Sequence, residues 1–196
     1  MVAPNRIAKS MTESAKVDLA RLKNPAPEGV LRIKVVRAEK LAAKDFSMLG
    51  QHTSDPYVQM KVGVQLWKSS TEKKTCNPVW PKDNSVKDFI VYSIEQQVSI
   101  DVLDWDQLSS DDPLGSVMVF RDGASKPSRI TTKDLIEFAG KGEKSFRLYA
   151  ASDKEDAPPE DANIFLEVDW LWLTHPFEGP KVDAPSSSCW AKTCFA

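Results

Sequence analysis

Two pairs of aspartates near the middle of this 196-residue chain are spaced so that their carboxylates could bind a cation together. Asp104 and Asp106 follow a run of alternating apolar residues, so both carboxylates point the same way if the chain stays extended. After a short loop the chain continues with Asp111 and Asp112, which can place a third carboxylate at the same point. Such groups repel one another without a cation. The spacing therefore indicates a candidate site for Ca²⁺, which prefers oxygen ligands.

A second acidic point comes from Asp45 and Asp55, which bracket a loop between two predicted strands. This loop could face the same end of the molecule. Aspartates at strand ends also cap turns, however, because their side chains accept hydrogen bonds from nearby backbone groups. The spacings alone leave both interpretations open.

Period-two alternation of apolar residues predicts the strands that must hold these loops, beginning at Val30. The strands are expected around residues 30–35, 58–62, 65–68, 89–92, 98–102, 117–119, 146–149 and 164–170. These are too many for one flat sheet. We therefore expect an all-β fold, an eight-stranded antiparallel β-sandwich. One short connecting helix is predicted where Thr131 and Asp134 form a capping box, with Gly140 placed to end it.

Composition shifts predict where the folded domain begins and ends. Residues 1–28 read as an N-terminal extension and proline-rich linker, and residues 29–174 as the domain. Within it, residues 151–162 are acidic, contain prolines and lack periodic apolar positions, which predicts a flexible loop. Residues 175–196 show no strand or helix pattern and are expected to form an unstructured tail.

Charge and composition argue against several functions. The net charge of −2 provides no global field toward nucleic acid. No apolar run approaches the ~20 residues of a transmembrane helix, and the N-terminus lacks a signal core. His52 and His175 have no partner in a nucleophile motif, and there is no glycine-rich phosphate loop, so we do not expect an enzyme. Three cysteines without zinc-ligand spacing favour a reducing compartment.

Four short motifs, taken in order, resemble those of the C2 domain family. They are Ser-Asp-Pro-Tyr-Val at 54–58, Cys-Asn-Pro-Val-Trp at 76–80, Val-Leu-Asp-Trp-Asp at 102–106 and Asp-Pro-Leu-Gly at 112–115. The resemblance spans roughly residues 29–173 and is strongest to the first C2 domain of extended synaptotagmins. The N-terminal stretch also resembles the junction with the lipid-transfer module that precedes that domain.

The resemblance implies a calcium site and a membrane partner. It implies two or three Ca²⁺ ions held by five aspartates, and it makes Asp111 a neighbour of the site. The implied ligands are Asp45, Asp55, Asp104, Asp106 and Asp112. The expected partners are anionic phospholipids, phosphatidylserine first and phosphoinositides second. The expected location is cytoplasmic and peripheral at a membrane, at contacts between endoplasmic reticulum and plasma membrane if the chain belongs to an extended synaptotagmin.

The resemblance also implies a role as a calcium-gated membrane tether, while lipid transfer itself is not assigned to this chain. Apolar residues at the loop tips are candidates for insertion into the membrane, with local loop packing as the other interpretation. These residues are Phe46, Met48, Leu49 and Leu108. The alternative function is a calcium-independent C2 scaffold that binds proteins or phosphoinositides.

Some C2 domains bind phosphoinositide head groups on a basic face, and this chain has four lysines in the corresponding region. They are Lys61, Lys68, Lys73 and Lys74. Ordinary solvated lysines explain the same pattern equally well.

Overall fold

The computed structural model describes residues 25–46, 52–107, 110–151 and 156–173, with the backbone alone for residues 45, 46 and 52. These residues form short and long β-strands, one single-turn 3₁₀ helix (Lys82–Asn84) and one α-helix. The elements are β1 (Gly29–Glu39), β2 (Asp45–Phe46), β3 (His52–Thr53), β4 (Pro56–Val62), β5 (Gln65–Lys68), β6 (Val86–Val91), β7 (Gln97–Asp104), β8 (Asp112–Val119), β9 (Ser128–Thr131), α1 (Thr132–Ile136), β10 (Lys144–Tyr149) and β11 (Asn163–Trp172).

All eight predicted strands are present, and the prediction of an antiparallel β-sandwich is confirmed. Three further short strands, β2, β3 and β9, were not predicted. The first two have only two residues each, too few for an alternating pattern to be recognised. The third, Ser128–Thr131, has one buried side chain and therefore little alternation.

Two antiparallel layers make up the sandwich. One layer has the strand order β6-β1-β11-β10, and the other has β5-β4-β7-β8. β10 joins the two layers, because its last residues, Leu148 and Tyr149, pair with β8. β9 pairs with both β7 and β8, and so lies between these two strands beyond the residues through which they pair directly with each other.

The core lies between the layers and follows directly from the alternation. In β1 the side chains of Leu31, Ile33 and Val35 are fully buried, whereas Arg32 on the opposite face forms an ion pair with Asp88 of β6. Each fully buried aliphatic side chain contributes roughly 1.5–3 kcal/mol. Residues from both layers complete this core: Val58, Met60, Phe89, Val98, Ile100, Val102, Val117, Leu148, Ile164 and Leu166.

Helix α1 begins as the sequence predicts but ends earlier than the predicted glycine. The Thr131 hydroxyl accepts from the Asp134 amide, and the Asp134 carboxylate accepts from the Thr131 amide, which completes the capping box. The helix stops at Ile136, and Gly140 lies beyond it with φ of 70°. No helix in the part of the chain that the structure describes is long and apolar enough to cross a membrane.

A side chain joins the edge strands of the two layers. Gln65 of β5 donates through Nε2 to the Ile90 carbonyl at 2.6 Å and accepts through Oε1 from the Ile90 amide at 3.0 Å. Gln65 therefore uses both backbone groups of an outward-facing residue on β6. In this way a side-chain amide stands in for a neighbouring strand at this position.

Both ends of the folded core lie together. Gly29 at the start of β1 pairs with Trp172 at the end of β11. The other ends of these strands, Glu39 and Asn163, also pair with each other. Since β1 leads from Gly29 into the first aspartate-bearing loop, the aspartate loops lie at the end of the sandwich that is remote from Gly29.

Candidate functional site

Strand register brings the predicted aspartates to one end of the sandwich. Pro56, next to Asp55, pairs with Asp104, and Asp104 pairs in turn with Asp112 on the following strand. The backbones of three predicted ligands therefore lie side by side where β4, β7 and β8 meet. This end of the molecule, with the loops attached to it, is called the aspartate end below.

Asp104 lies at the base of this end and is 1% exposed. Its Oδ1 accepts a hydrogen bond from the Asp55 amide at 2.6 Å. Asp55 in turn accepts from the Lys74 amide at 2.7 Å through its carboxylate and from the Trp105 amide at 3.0 Å through its carbonyl. These contacts tie together three loops, called the first (residues 40–55), second (residues 69–85) and third (residues 105–111) loops below.

Asp111 holds the third loop in place through two donors. Its carboxylate accepts from the Tyr57 hydroxyl at 2.6 Å and from the Asp106 amide at 3.1 Å. The hydrogen bond from Tyr57 lowers the pKa of the Asp111 carboxyl, and burial, together with Asp111, raises the pKa of Tyr57. Burial, followed by the charge of Asp104, likewise raises the pKa of the Cys76 thiol.

The contact between Tyr57 and Asp111 does not follow from any local sequence pattern, because the two residues lie 54 positions apart. The short spacing from Asp106 to Asp111 was a usable signal that Asp111 lies in the same loop. Its partner, however, depends on the register between β4 and β7.

The first loop is anchored by a buried serine. Ser54, fully buried, accepts from the Lys44 amide at 3.0 Å and donates to the Ala42 carbonyl at 2.8 Å. Asp45 follows Lys44 and pairs through its backbone with Thr53. The remaining predictions for the loop tips, the insertion of Phe46, Met48, Leu49 and Leu108, fall on side chains outside the described residues.

The donor chemistry and the location fit a hard cation such as Ca²⁺, because carboxylate oxygens from neighbouring strands lie at one end. Among the described side chains, which do not include that of Asp45, no group of three or more His, Cys, Asp or Glu residues is close enough to hold a metal ion. The described carboxylates thus share an end of the molecule without forming a finished cage.

The structure divides the four predicted basic residues between a strand face and the aspartate end. Lys61 is exposed on β4, and Lys68 at the end of β5 donates to the Tyr57 hydroxyl at 3.1 Å. Lys73 lies with Nζ 5.1 Å from the centre of the Trp105 ring, a cation–π contact. Lys74 donates its backbone amide to Asp55.

An acidic stretch between β10 and β11, residues 156–161 and called the acidic segment below, contacts the first loop. Lys44 donates to Asp156 at 2.6 Å, and Lys40 donates to Asp161 at 2.5 Å. The two lysines lower the pKa of both carboxyls through these hydrogen bonds. The composition of residues 151–162 predicts a flexible loop there but gives no sign of these ion pairs.

A model of the C2 domain family matches residues 29–133, which is more than half of the chain. The chain belongs to the C2 domain family. Human extended synaptotagmin-3 is 36% identical over 120 residues, covering 61% of this C2 chain and 13% of that protein. Mouse extended synaptotagmin-2 is 37% identical over 176 residues, covering 88% of this chain and 18% of that protein.

Solved structures agree with this C2 assignment. A calcium-bound structure of two C2 domains of extended synaptotagmin 2 matches with a TM-score of 0.54 and 31% identity, covering 76% of this chain and 47% of that one. The C2 chain spans less than a fifth of the length of the curated relatives it matches.

Proposed function

We propose that this C2 domain docks on anionic phospholipid membranes in a calcium-dependent manner and acts as a membrane tether or targeting module. The observation that carries the proposal is the burial of Asp104, 1% exposed, at the point where the strands bearing Asp55 and Asp112 meet. This buried carboxylate, beside the strand ends next to Asp55 and Asp112, supplies oxygen atoms of the kind that Ca²⁺ prefers as ligands. The proposed ligands are Asp45, Asp55, Asp104, Asp106 and Asp112.

Charge explains how such a site would be switched. Several carboxylates at one end repel the phosphate groups of an anionic membrane. Bound calcium would cancel this negative charge and leave coordination positions for lipid oxygens. The chain's own contribution is to hold the carboxylates in place. The Asp55 amide donates to the Asp104 carboxylate and so orients it. The Asp111 carboxylate accepts from the Asp106 amide and so fixes the backbone at Asp106.

The test combines a calcium titration with vesicle binding. Asp104→Asn with Asp106→Asn keeps the side-chain shapes and removes two charges from the proposed site. Isothermal titration calorimetry is expected to detect calcium binding to the parent protein and none to the double variant. Sedimentation with phosphatidylserine vesicles is expected to require calcium for the parent protein and to fail for the variant.

A matched control removes the same charge elsewhere. Asp88 lies on the outer face of β6 in an exposed ion pair with Arg32, and Asp122 is exposed in the turn after β8, away from the aspartate end. Asp88→Asn with Asp122→Asn is expected to leave calcium and vesicle binding unchanged. The proposal fails if the parent protein gives no heat with millimolar calcium, or if the two double variants bind vesicles equally well.

A second candidate is a calcium-independent C2 scaffold, which the lysines at the aspartate end favour. In that case Lys68 and Lys73, which lie beside Tyr57 and Trp105, would provide a phosphoinositide site. Vesicle binding that needs phosphoinositide but no calcium would support this candidate. Lys68→Gln with Lys73→Gln would then abolish binding.

A further inference from the structure

In the ion pairs between the first loop and the acidic segment, another anion can take the place of the carboxylate beside each lysine. Lys40 and Asp161 have side chains 60% and 61% exposed, and Asp156 is 84% exposed. Exposed ion pairs contribute little to folding, because water and salt screen them and side-chain freedom is lost. Lys44 is better held, with 23% of its side chain exposed.

The acidic segment is packed against the aspartate end by contacts other than these ion pairs. A Cβ atom on Gly115 of β8 would lie 3.3 Å from Pro158, so the proline rests on the strand that begins with Asp112. The Ala162 amide donates to the Pro159 carbonyl at 3.0 Å. The segment is therefore held against β8 by a contact that involves neither lysine.

The backbone conformation of Lys40 is unusual and places its side chain at the start of the first loop. Lys40 has φ of 57°, in the left-handed region that favours glycine, and its amide donates to the Asn77 side chain at 2.8 Å. Residues held in such conformations cluster at functional sites. A lysine at this turn places a positive charge at the start of the first loop, which glycine would not.

We propose that Lys40 and Lys44 form a binding site for the phosphate groups of an anionic membrane surface, and that Asp156 and Asp161 occupy this site in the free protein. This rests on the proposed membrane docking but not on calcium. The acidic segment then acts as an internal competitor, because each carboxylate must leave its lysine before a lipid phosphate can take its place. While the two carboxylates are paired with the lysines, the affinity of the protein for the membrane is lower than the two lysines alone would provide.

The test is a double-mutant cycle on vesicle binding, carried out on the full chain in a calcium chelator. Asp156→Asn with Asp161→Asn is expected to raise the partition onto vesicles of equal parts phosphatidylserine and phosphatidylcholine by about tenfold, since a lysine near an anionic surface contributes several-fold. In a background of Lys40→Gln with Lys44→Gln, the same two substitutions are expected to change the partition by less than about twofold.

The cycle separates a specific site from a general effect of charge. If the gain persists in full without the lysines, or if no gain occurs with them, the proposal is overturned. Glu160→Gln with Asp122→Asn makes the same change in net charge and is expected to reproduce little of the gain. A gain of equal size from this control would also overturn the proposal.

Two further arms identify the ligand and separate the two proposals. Inorganic phosphate at micromolar concentration is expected not to inhibit vesicle binding of the Asp156→Asn with Asp161→Asn variant. Inhibition at that concentration, with none from chloride at equal ionic strength, would mark a site for free phosphate and overturn the assignment to a membrane surface. Adding calcium to the parent protein tests the proposed function alone. One result would support the lysine site and contradict the calcium switch. In that result the aspartate substitutions raise vesicle binding in chelator only when Lys40 and Lys44 are present, and calcium does not change vesicle binding of the parent protein.

Discussion

At the scale of single residues, the hydroxyl of Tyr57 is the side-chain contact that most directly supports the third loop. It donates to Asp111, which also holds the Asp106 amide, while Lys68 donates to the same hydroxyl. A hydrogen bond to a charged group contributes about 1.5–3 kcal/mol. The order of the loop thus depends on a residue of β4 that is not itself a proposed ligand.

Tyr57→Phe is expected to lower the free energy of unfolding by about 1–2 kcal/mol, because Asp111 loses its side-chain donor. The hydrogen bond from Tyr57 depresses the pKa of Asp111, so its loss moves that pKa back up toward the ordinary carboxyl value. Urea unfolding and an NMR titration of Asp111 measure the two effects. Tyr92→Phe, at a side chain 47% exposed, is the control, and equal effects from both variants would contradict the prediction.

Replacing Lys74 by glycine is expected to stabilise the protein, in contrast to the loss of stability expected for Tyr57→Phe. Its φ of 57° costs a residue with a Cβ roughly 1–2 kcal/mol relative to glycine. Lys74→Gly keeps the amide that donates to Asp55 and is expected to raise the free energy of unfolding by about 0.5–1 kcal/mol, after the greater freedom of glycine in the unfolded chain is included. Lys73→Gly, at a neighbour without positive φ, is expected to lower it. Urea denaturation of both variants tests the difference.

At the scale of elements, the capping box of α1 links stability to pH. Burial opposes the charge of Asp134, but hydrogen bonds from Arg121 and Thr131 leave its pKa below the ordinary value. The carboxylate therefore stabilises the folded state above about pH 4, the ordinary carboxyl pKa, and this contribution is lost as the pH falls through the lower folded value.

Asp134→Ala is expected to cost about 1 kcal/mol at neutral pH, the usual contribution of such a cap. The difference from the parent protein should shrink as the pH falls below about 4, because the parent carboxyl is then protonated as well. Thermal unfolding across this pH range measures it. Glu137→Ala, just beyond the helix, serves as the control, and a difference for Asp134→Ala that stays constant with pH would contradict the account.

The link between the edge strands gives a second prediction at this scale. Gln65→Ala removes both hydrogen bonds to Ile90 and is expected to destabilise the protein by about 1–2 kcal/mol. Amide exchange at Ile90 should accelerate more than exchange at residues in the middle of β7. Gln97→Ala, at an exposed position at the start of β7, should have little effect. Unchanged protection of Ile90 would show that the two edges are held by other contacts.

At the scale of the whole molecule, the sequence predicts what depends on local alternation and misses what depends on register. The eight longer strands follow from period-two patterns such as Leu31, Ile33 and Val35. The capping box is readable because its two residues are three apart. By contrast, Lys40 and Asp161 are 121 residues apart, and their contact depends on how β1 and β11 pair.

The candidate site divides in the same way. The aspartates can be placed at strand ends from the sequence, because each follows or precedes an alternating run. Burial of Asp104 and its bond to the Asp55 amide could not be predicted, since both depend on the pairing of β4 with β7. The contact of Asp111 with Tyr57 depends on the same pairing.

Calcium should act on the stability of the whole domain if the proposed function is correct. A ligand that binds only the folded state stabilises it by about 2.7 kcal/mol at one hundred times its dissociation constant. The unfolding midpoint of the parent protein should therefore rise with calcium concentration, and that of Asp104→Asn with Asp106→Asn should not. Scanning calorimetry with magnesium as the control ion measures this, and equal shifts from both ions would argue against a specific site.

The pairing of Gly29 with Trp172 also decides how this domain responds to mechanical load. Force applied through these two neighbouring residues pulls β1 and β11 apart sideways, so their hydrogen bonds are loaded one pair at a time and open like a zipper. Force between the aspartate end and either residue instead runs along the strands and loads many hydrogen bonds together. A module anchored at its aspartate end is thus expected to resist tension far better than the same module stretched between Gly29 and Trp172.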